Sequence, residues 1–389
     1  MADPIKKIAL GDGTVRYRFV IDVGKDPQTG KRKQLTVTKD TRTEAEAEHS
    51  RIKYQRSQGT FVAPSKMTVG QLVDVWLKEA TKDVELATKR SYEDAMRYVR
   101  VRLGKKPAQE LNEEDVDALI TWMLTEARRI GGKPGTGLSV RTCELTLGRL
   151  RSVLSLGIRR QILTRNVAEY VKIPRAARKE AKRKKRQRTP WDQDEVKGFL
   201  AYCSGHRLHA VMLLSLIGLR PAEVVGLRWM DVDLEHGTVR IEITRTLVVG
   251  EVVEKDTKSE AGDRGLPLPE VVWQALRAFH TRQLRERLKA GKGYEASGRV
   301  VVDDLGGDWK TDKLRREAYK LMASAGVRKT RLYDARHACL SWMANNGVPD
   351  TVVSAWAGHS DLSFTKRTYV HPDPQSLKAG SEKLMELLG

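Results

Sequence analysis

Tyr369 stands ten positions after His359 in the stretch "GHSDLSFTKRTYVHP" (358–372), with Lys366 and Arg367 just before it. A tyrosine hydroxyl, with a free pKa near ~10, is a poor nucleophile at neutral pH unless cations lower that value or a base takes its proton. Three other fragments carry residues of matching chemistry. Arg220 and Glu223 lie one turn apart in "LIGLRPAEVVGLRWMDVDL" (216–234), and Lys258 sits in the turn-rich "KDTKSEAGDRGLPLP" (255–269). Tyr333, Arg336 and His337 cluster in "LYDARHACLSWMANNGV" (332–348). Singly, each has an ordinary structural explanation: an arginine in a salt bridge, a lysine on a hairpin, a histidine capping a helix. Their joint occurrence, in this order and in a basic chain, is far more specific.

The 389 residues include 71 Lys+Arg against 50 Asp+Glu, a formal charge of +21. The length suggests two or three domains. The charge makes a polyanion, nucleic acid first, the expected partner. No membrane role is expected, because the longest apolar run, "VMLLSLIGL" (211–219), is about half of what a spanning helix needs. The N-terminus has no signal-peptide pattern. Cys143, Cys203 and Cys339 lie far apart without a CxxC, which reads as reduced thiols in a cytoplasmic protein. No Walker A pattern, HExxH or magnesium-spaced carboxylate cluster is present, so neither metal nor cofactor is expected.

The elements that must position these residues imply a multidomain α+β chain. Residues 1–63 predict a small three-stranded sheet plus one helix. "TVRYRFVIDV" alternates, with Tyr17, Phe19, Ile21 and Val23 on one face, and a helix follows with Thr43 and Glu46 at capping-box spacing and Gly59 as its stop. The cations Arg16, Arg18, Lys31, Arg32 and Lys33 suit a nucleic-acid-binding module. Residues 67–172 read as all-helical, with Thr68 and Gln71 as a second capping box. Leu147, Leu150, Leu154 and Ile158 form one apolar stripe, with Arg149, Arg151, Arg159 and Arg160 off it as candidate phosphate contacts. The run at 173–190, including Lys182, Arg183, Lys184, Lys185 and Arg186, predicts an extended basic linker along a phosphate backbone. Residues 191–389 read as a mainly helical domain with a small antiparallel sheet.

The four fragments resemble the catalytic domain of the tyrosine recombinases, the phage-integrase family. "GLRPAEVVGLRW" is similar to its first arginine box, "TKSEAGDRGLPLP" to its hairpin-lysine segment and "YDARH" to its second arginine box. "AGHSDLSFTKRTYVHP" resembles its histidine-to-nucleophile box. The resemblance covers 190–375. More weakly, 67–172 resembles the helical, SAM-like core-binding domain, and 1–63 the arm-binding domain of phage and integrative-element integrases. One departure stands out: where the family usually has histidine three residues before the second arginine, this chain has Tyr333.

The resemblance implies a site-specific recombinase that cuts and rejoins DNA through a covalent 3′-phosphotyrosine. The residue types suit that chemistry by themselves. Arg220 and Arg336 would clamp the non-bridging oxygens of a phosphorane. Lys258 would protonate the departing 5′-oxygen, and His359 would donate to the phosphate or help to deprotonate Tyr369. Glu223 would orient Arg220, and Lys366 and Arg367 would contact phosphate. Tyr333 could hydrogen-bond a phosphate oxygen but could not act as a base near neutrality. It is a rival nucleophile, and spacing after "GH" favours Tyr369. The implied partners are double-stranded DNA at core-type and arm-type sites and three further copies of the chain in a homotetramer. A recombination directionality factor and a host DNA-bending protein are implied as accessories, in a bacterial cytoplasm. Alternatives are a type IB topoisomerase and an inactive DNA-binding regulator of the same fold. The last segment, with Leu377, Leu384 and Leu388 at helical spacing, would dock on its own domain or on a neighbour.

Overall fold

A computed structural model describes residues 3–9, 11, 14–25, 32–186, 191–248, 250–256, 262–369 and 385. Lys31, Lys258, Leu377, Leu384 and Leu388 lie outside these residues, as do the side chains of Lys33, Lys185, Arg186, Arg367 and Tyr369. The chain divides into two compact units, Met1–Gln187 and Arg188–Gly389.

In the first unit, β1 (Ile5–Ala9), β2 (Val15–Lys25) and β3 (Arg32–Lys39) form an antiparallel sheet in that order. The alternation in β2 buries Phe19 and Ile21 against Ala45 and Ile52 of α1 (Arg42–Ser57), with Tyr17 and Val23 packed at the edge of this small core. The α1 cap is Thr41, whose hydroxyl accepts from Glu44 N at 3.2 Å, so the helix starts before the expected Thr43–Glu46 pair. Thr41 keeps the extended conformation inherited from β3, which is what an N-cap requires. Gly59, at φ +69°, ends the helix as expected.

Four helices build the second core of this unit: α2 (Val69–Ala80), α3 (Leu86–Leu103), α4 (Glu113–Thr125) and α5 (Val140–Arg159). Both halves of the Thr68/Gln71 capping box are formed. Leu147, Leu150 and Leu154 are buried, but Ile158 is 37% exposed, because in the last turn of α5 the buried face passes through Leu156 and Gly157 and leaves Ile158 beside it. The basic run departs from the extended linker expected of it: Arg175–Arg186 forms a helix, α6. Alanine, lysine and arginine are good helix formers, Glu180 pairs with Arg183 and Lys184 at helical spacing, and Ala177 packs against the four-helix core.

The second unit carries α7 (Gln193–Cys203), α8 (His209–Leu216) and α9 (Pro221–Gly226), followed by five strands. These are β4 (Val232–Asp233), β5 (Thr238–Ile241), β6 (Ile243–Val248), β7 (Glu251–Asp256) and β8 (Arg264–Pro267). Strands β4, β5 and β8 make one antiparallel sheet, and β6 pairs with β7 in a separate hairpin. Then come α10 (Glu270–Ala290), α11 (Thr311–Ser324), α12 (Leu332–Asn345), α13 (Asp350–Ala357) and α14 (Leu362–Tyr369). Val211, Met212, Leu213 and Leu214 make α8 buried nearly all round, the central post of the core.

Candidate active site

The site grows from the two ends of α8 and α9. Gly218, at φ +99°, turns the chain out of α8; a side chain there would meet Cys339 and Trp356. Two residues later Arg220 caps α9, with its own N–H donating to Glu223 Oε2 at 2.8 Å and its Nη1 to Glu223 Oε1 at 2.5 Å. Glu223 is 1% exposed. Burial opposes its charge, but Arg264 and Arg220 outweigh that and hold its carboxyl below the usual range. Glu223 thus holds Arg220 by both its backbone N–H and its guanidinium.

The other partner of Glu223, Arg264, was not singled out in the sequence. It opens β8 directly after the lysine segment and grips the carboxylate with two nitrogens, at 3.2 and 3.1 Å. Its Nε donates to the Trp356 carbonyl at 2.8 Å, and Nη1 also reaches the Gly262 carbonyl at 3.1 Å. Trp356 in turn donates its indole N–H to the Ile217 carbonyl at 2.8 Å. Arg264 therefore ties the base of the lysine segment to both α9 and α13. Its signal in the sequence is weak, because an arginine before "GLPLP" becomes meaningful only through partners 41 and 92 residues away.

Arg336, on α12, is wholly buried. Nη1 donates to the Gly218 carbonyl at 2.6 Å, Nη2 donates to the Ala357 carbonyl, and Nη2 also lies 3.2 Å from His359 Nε2. Its Nε–H has no hydrogen-bond partner among the described residues, and neither does the side chain form an ion pair there. Burial, then the neighbouring Arg220 charge, push its pKa down to about 10. Three guanidinium groups share one ion-pairing carboxylate among the described residues, so the pocket has a surplus of positive charge and an unsatisfied buried donor. An anion with several acceptor oxygens would answer both.

His359 follows Gly358, which ends α13 in the left-handed conformation at φ 61°. Its Nδ1 meets Thr365 Oγ1 of α14 at 2.8 Å, and its N–H donates to the Ser354 carbonyl at 3.1 Å. Burial, then Arg336 and Arg220, push its pKa down to about 4, so the imidazole is neutral at physiological pH. Thr365, fully buried, and Ser354 also went unremarked in the sequence, where "SFTKRT" reads as a spacer. Tyr333 is 45% exposed, is an electrostatic neighbour of Arg220 and makes an edge contact with the His337 ring at 5.3 Å. For Arg220, burial opposes the charge, but Glu223 and then Tyr333 outweigh it and raise its pKa. Tyr369 ends α14, one turn beyond Thr365. Lys258 lies outside the described residues, between β7 and β8.

The expected DNA contacts fall into two groups. Arg16 pairs with Asp40, Arg32 with Asp22, Arg160 with Glu79, Arg183 and Lys184 with Glu180, and Lys366 with Asp350. Arg18 donates to Thr38, while Arg159 and Lys182 are exposed. Such surface pairs are worth ~0–1 kcal/mol and yield readily to a phosphate. Arg149 and Arg151 differ. Arg149 lies 4.1 Å from the Tyr92 ring centre, and Arg151 donates to the carbonyls of Ala168 and Val171 at 2.9 and 2.6 Å. Arg151 thus fastens the chain beyond α5 onto its own domain.

Residues 191–376 match the model of the phage integrase family. A XerC-like tyrosine recombinase of Caldanaerobacter subterraneus subsp. tengcongensis is 26% identical, with 97% of each chain covered. The Tn1549 transposon integrase, solved in complex with a circular intermediate DNA, superposes with a TM-score of 0.66 at 20% identity, covering 82% of this chain and 99% of that one. A lambda integrase tetramer bound to a Holliday junction gives 0.54 at 14% identity, covering 95% and 97%. The matched segment holds the whole arginine, glutamate and histidine pocket together with the helix that ends in Tyr369; residues 191–376 are thus similar to the phage integrase family, and the tyrosine recombinases and integrases that the chain resembles support site-specific recombination of DNA.

Proposed function

We propose that the scissile phosphate of a recombination site is the anion that this pocket lacks. The carrying observation is Arg336: wholly buried, without a carboxylate, and with one N–H unsatisfied beside Arg220 and His359. Arg220 and Arg336 clamp the non-bridging oxygens as negative charge grows on them, a pre-positioned stabilisation that costs no reorganisation. Tyr333, an exposed neighbour of Arg220, adds a donor. Tyr369 Oη attacks phosphorus, and the P–O5′ bond breaks as Lys258 protonates the leaving oxygen. A phenolate leaves more readily than an alkoxide, so a 5′-hydroxyl from another strand displaces Tyr369 and rejoins the DNA with no external energy.

On this reading residues 67–172 and 191–389 grip the core site, with α6 of the basic run linking them in sequence, while residues 1–63 bind arm sites. The exposed cations Arg16, Arg18 and Arg32 on the small sheet support the arm role. Four copies act on two duplexes in the cytoplasm of a bacterial host, integrating and excising a mobile element with a directionality factor and a DNA-bending protein. A nicked half-site DNA tests the chemistry. A denaturing gel shows a protein–DNA adduct with the wild type, none with Tyr369→Phe, and most of it with Tyr333→Phe. An adduct that survives in Tyr369→Phe removes the assignment. Deleting residues 1–63 leaves half-site cleavage intact and impairs integration.

A further inference from the structure

His359 is held at its two ring nitrogens by two different helices. Arginine can only donate, so the 3.2 Å contact between Arg336 Nη2 and His359 Nε2 requires a lone pair on Nε2. The single proton of the neutral ring must then sit on Nδ1, where Thr365 Oγ1 accepts it at 2.8 Å. Thr365 Oγ1 donates onward to Ser354 Oγ at 3.2 Å, and Ser354 Oγ donates to the His359 carbonyl at 3.5 Å. Arg336 at Nε2 and Thr365 at Nδ1 thus favour the same tautomer from the two sides of the ring, and each hydroxyl in the relay has a donor and an acceptor role. Among the described residues, charged and titratable groups facing the imidazole include Arg336 and His337 from α12, Arg220 beside α9 and Arg264 from β8. All of these that carry charge are cations, which disfavour a second ring proton.

We propose that Thr365, backed by Ser354, is a positioning residue that fixes His359 in the Nδ1–H form, so that Nε2 accepts a proton instead of donating one. This rests on the recombinase reading and decides which of two tasks His359 performs. When the phosphate draws Arg336 Nη2 to itself, the Nε2 lone pair becomes available to the phenol of Tyr369. The Tyr369 O–H bond breaks, its proton goes to Nε2 and its electron pair forms the O–P bond. The P–O5′ pair leaves on oxygen, which takes the Lys258 proton. On rejoining, the imidazolium returns its proton to the departing phenolate. His359 thereby fills the base role that a phenol at position 333 cannot take. Thr365 is one turn before Tyr369 on the same short helix, so an α14 that is in place for attack also has His359 in the accepting form.

The test uses the full chain with nitrogen-15-labelled histidine. At neutral pH, wild-type His359 is expected to show a protonated Nδ1 and a bare Nε2. Thr365→Val removes the acceptor and moves the proton toward Nε2, while Thr365→Ser restores the wild-type pattern. In nicked half-site cleavage, Thr365→Val slows adduct formation roughly tenfold or more with half-site binding unchanged, and Thr365→Ser recovers most of the rate. A wild-type spectrum with Nε2 protonated overturns the proposal, even if Thr365→Val does not fold. So does a folded Thr365→Val that cleaves at the wild-type rate. A wild type that forms no Tyr369 adduct sinks the recombinase reading instead, while the spectrum still decides the tautomer.

Discussion

Arg264 and Arg336 are both buried arginines of the same unit, with opposite surroundings. Arg264 meets a carboxylate with two nitrogens and two carbonyls besides. Arg336 meets carbonyls and an imidazole, no carboxylate, and keeps one N–H without a partner among the described residues. A buried guanidinium that has its counter-charge is a strut. One that is left without an anion is held in place at a cost by the surrounding fold, and that cost is recovered when a phosphate arrives. Burial does not tell these two arginines apart; the missing anion does.

The largest expected effect breaks this contrast at Arg336. Arg336→Ala should lower half-site cleavage by roughly 10²–10³-fold, the usual loss when one charge-stabilising donor is removed. In the same variant set, Arg336→Met should leave the DNA-free protein as stable as the wild type or more so, because an unmatched buried charge is gone. Arg264→Met should do the reverse to stability. It strands Glu223 with Arg220 alone and should cost about 3 kcal/mol, read as faster hydrogen exchange across β8 and α9.

Inorganic phosphate sharpens the comparison. It should raise the unfolding temperature of the wild type and of Arg264→Met but not of Arg336→Met, since only a state-specific ligand stabilises. Acid supplies a further separation. His359 has a folded pKa of about 4, below its ordinary 6.5, so the unfolded chain takes up its proton first. Its contribution is complete above pH 6.5 and is lost as pH falls toward 4, and His359→Asn should flatten that limb of the stability curve. Glu223, held below its ordinary 4.5, contributes fully above that pH and is lost only in stronger acid. The smallest effects belong to the surface: Lys366→Ala or Arg16→Ala should each lower the salt slope of DNA binding by about one and leave half-site chemistry nearly unchanged.

The contrast also explains what was legible in the sequence. Arg220, Glu223, Arg336, His359 and Tyr369 lie in short boxes whose residue types and spacing carry meaning locally, and four of them line one pocket while the fifth ends the adjoining helix. Phe19 and Ile21 were legible through period-two alternation, and Thr68 with Gln71 through capping chemistry. Arg264 and Thr365 were not, because each acts through a tertiary contact that no local period encodes. Ile158 fits the stripe by spacing but not in the fold, since at the end of α5 the close packing of Gly157 against Leu72 and Leu163 takes the core position. Residues 175–186 were misread because charge repulsion was weighed without the helix propensity of alanine, lysine and arginine and the pairs that Glu180 makes.

The central claim is that the anion-hungry pocket around Arg336 receives the phosphate to which Tyr369 becomes joined. Mass spectrometry of peptides from the trapped half-site adduct tests it most directly. The account predicts a nucleotide on Tyr369 in the wild type and no adduct in Arg336→Ala over the same interval. A nucleotide carried by Tyr333 or any other side chain, or an undiminished adduct without Arg336, would contradict it.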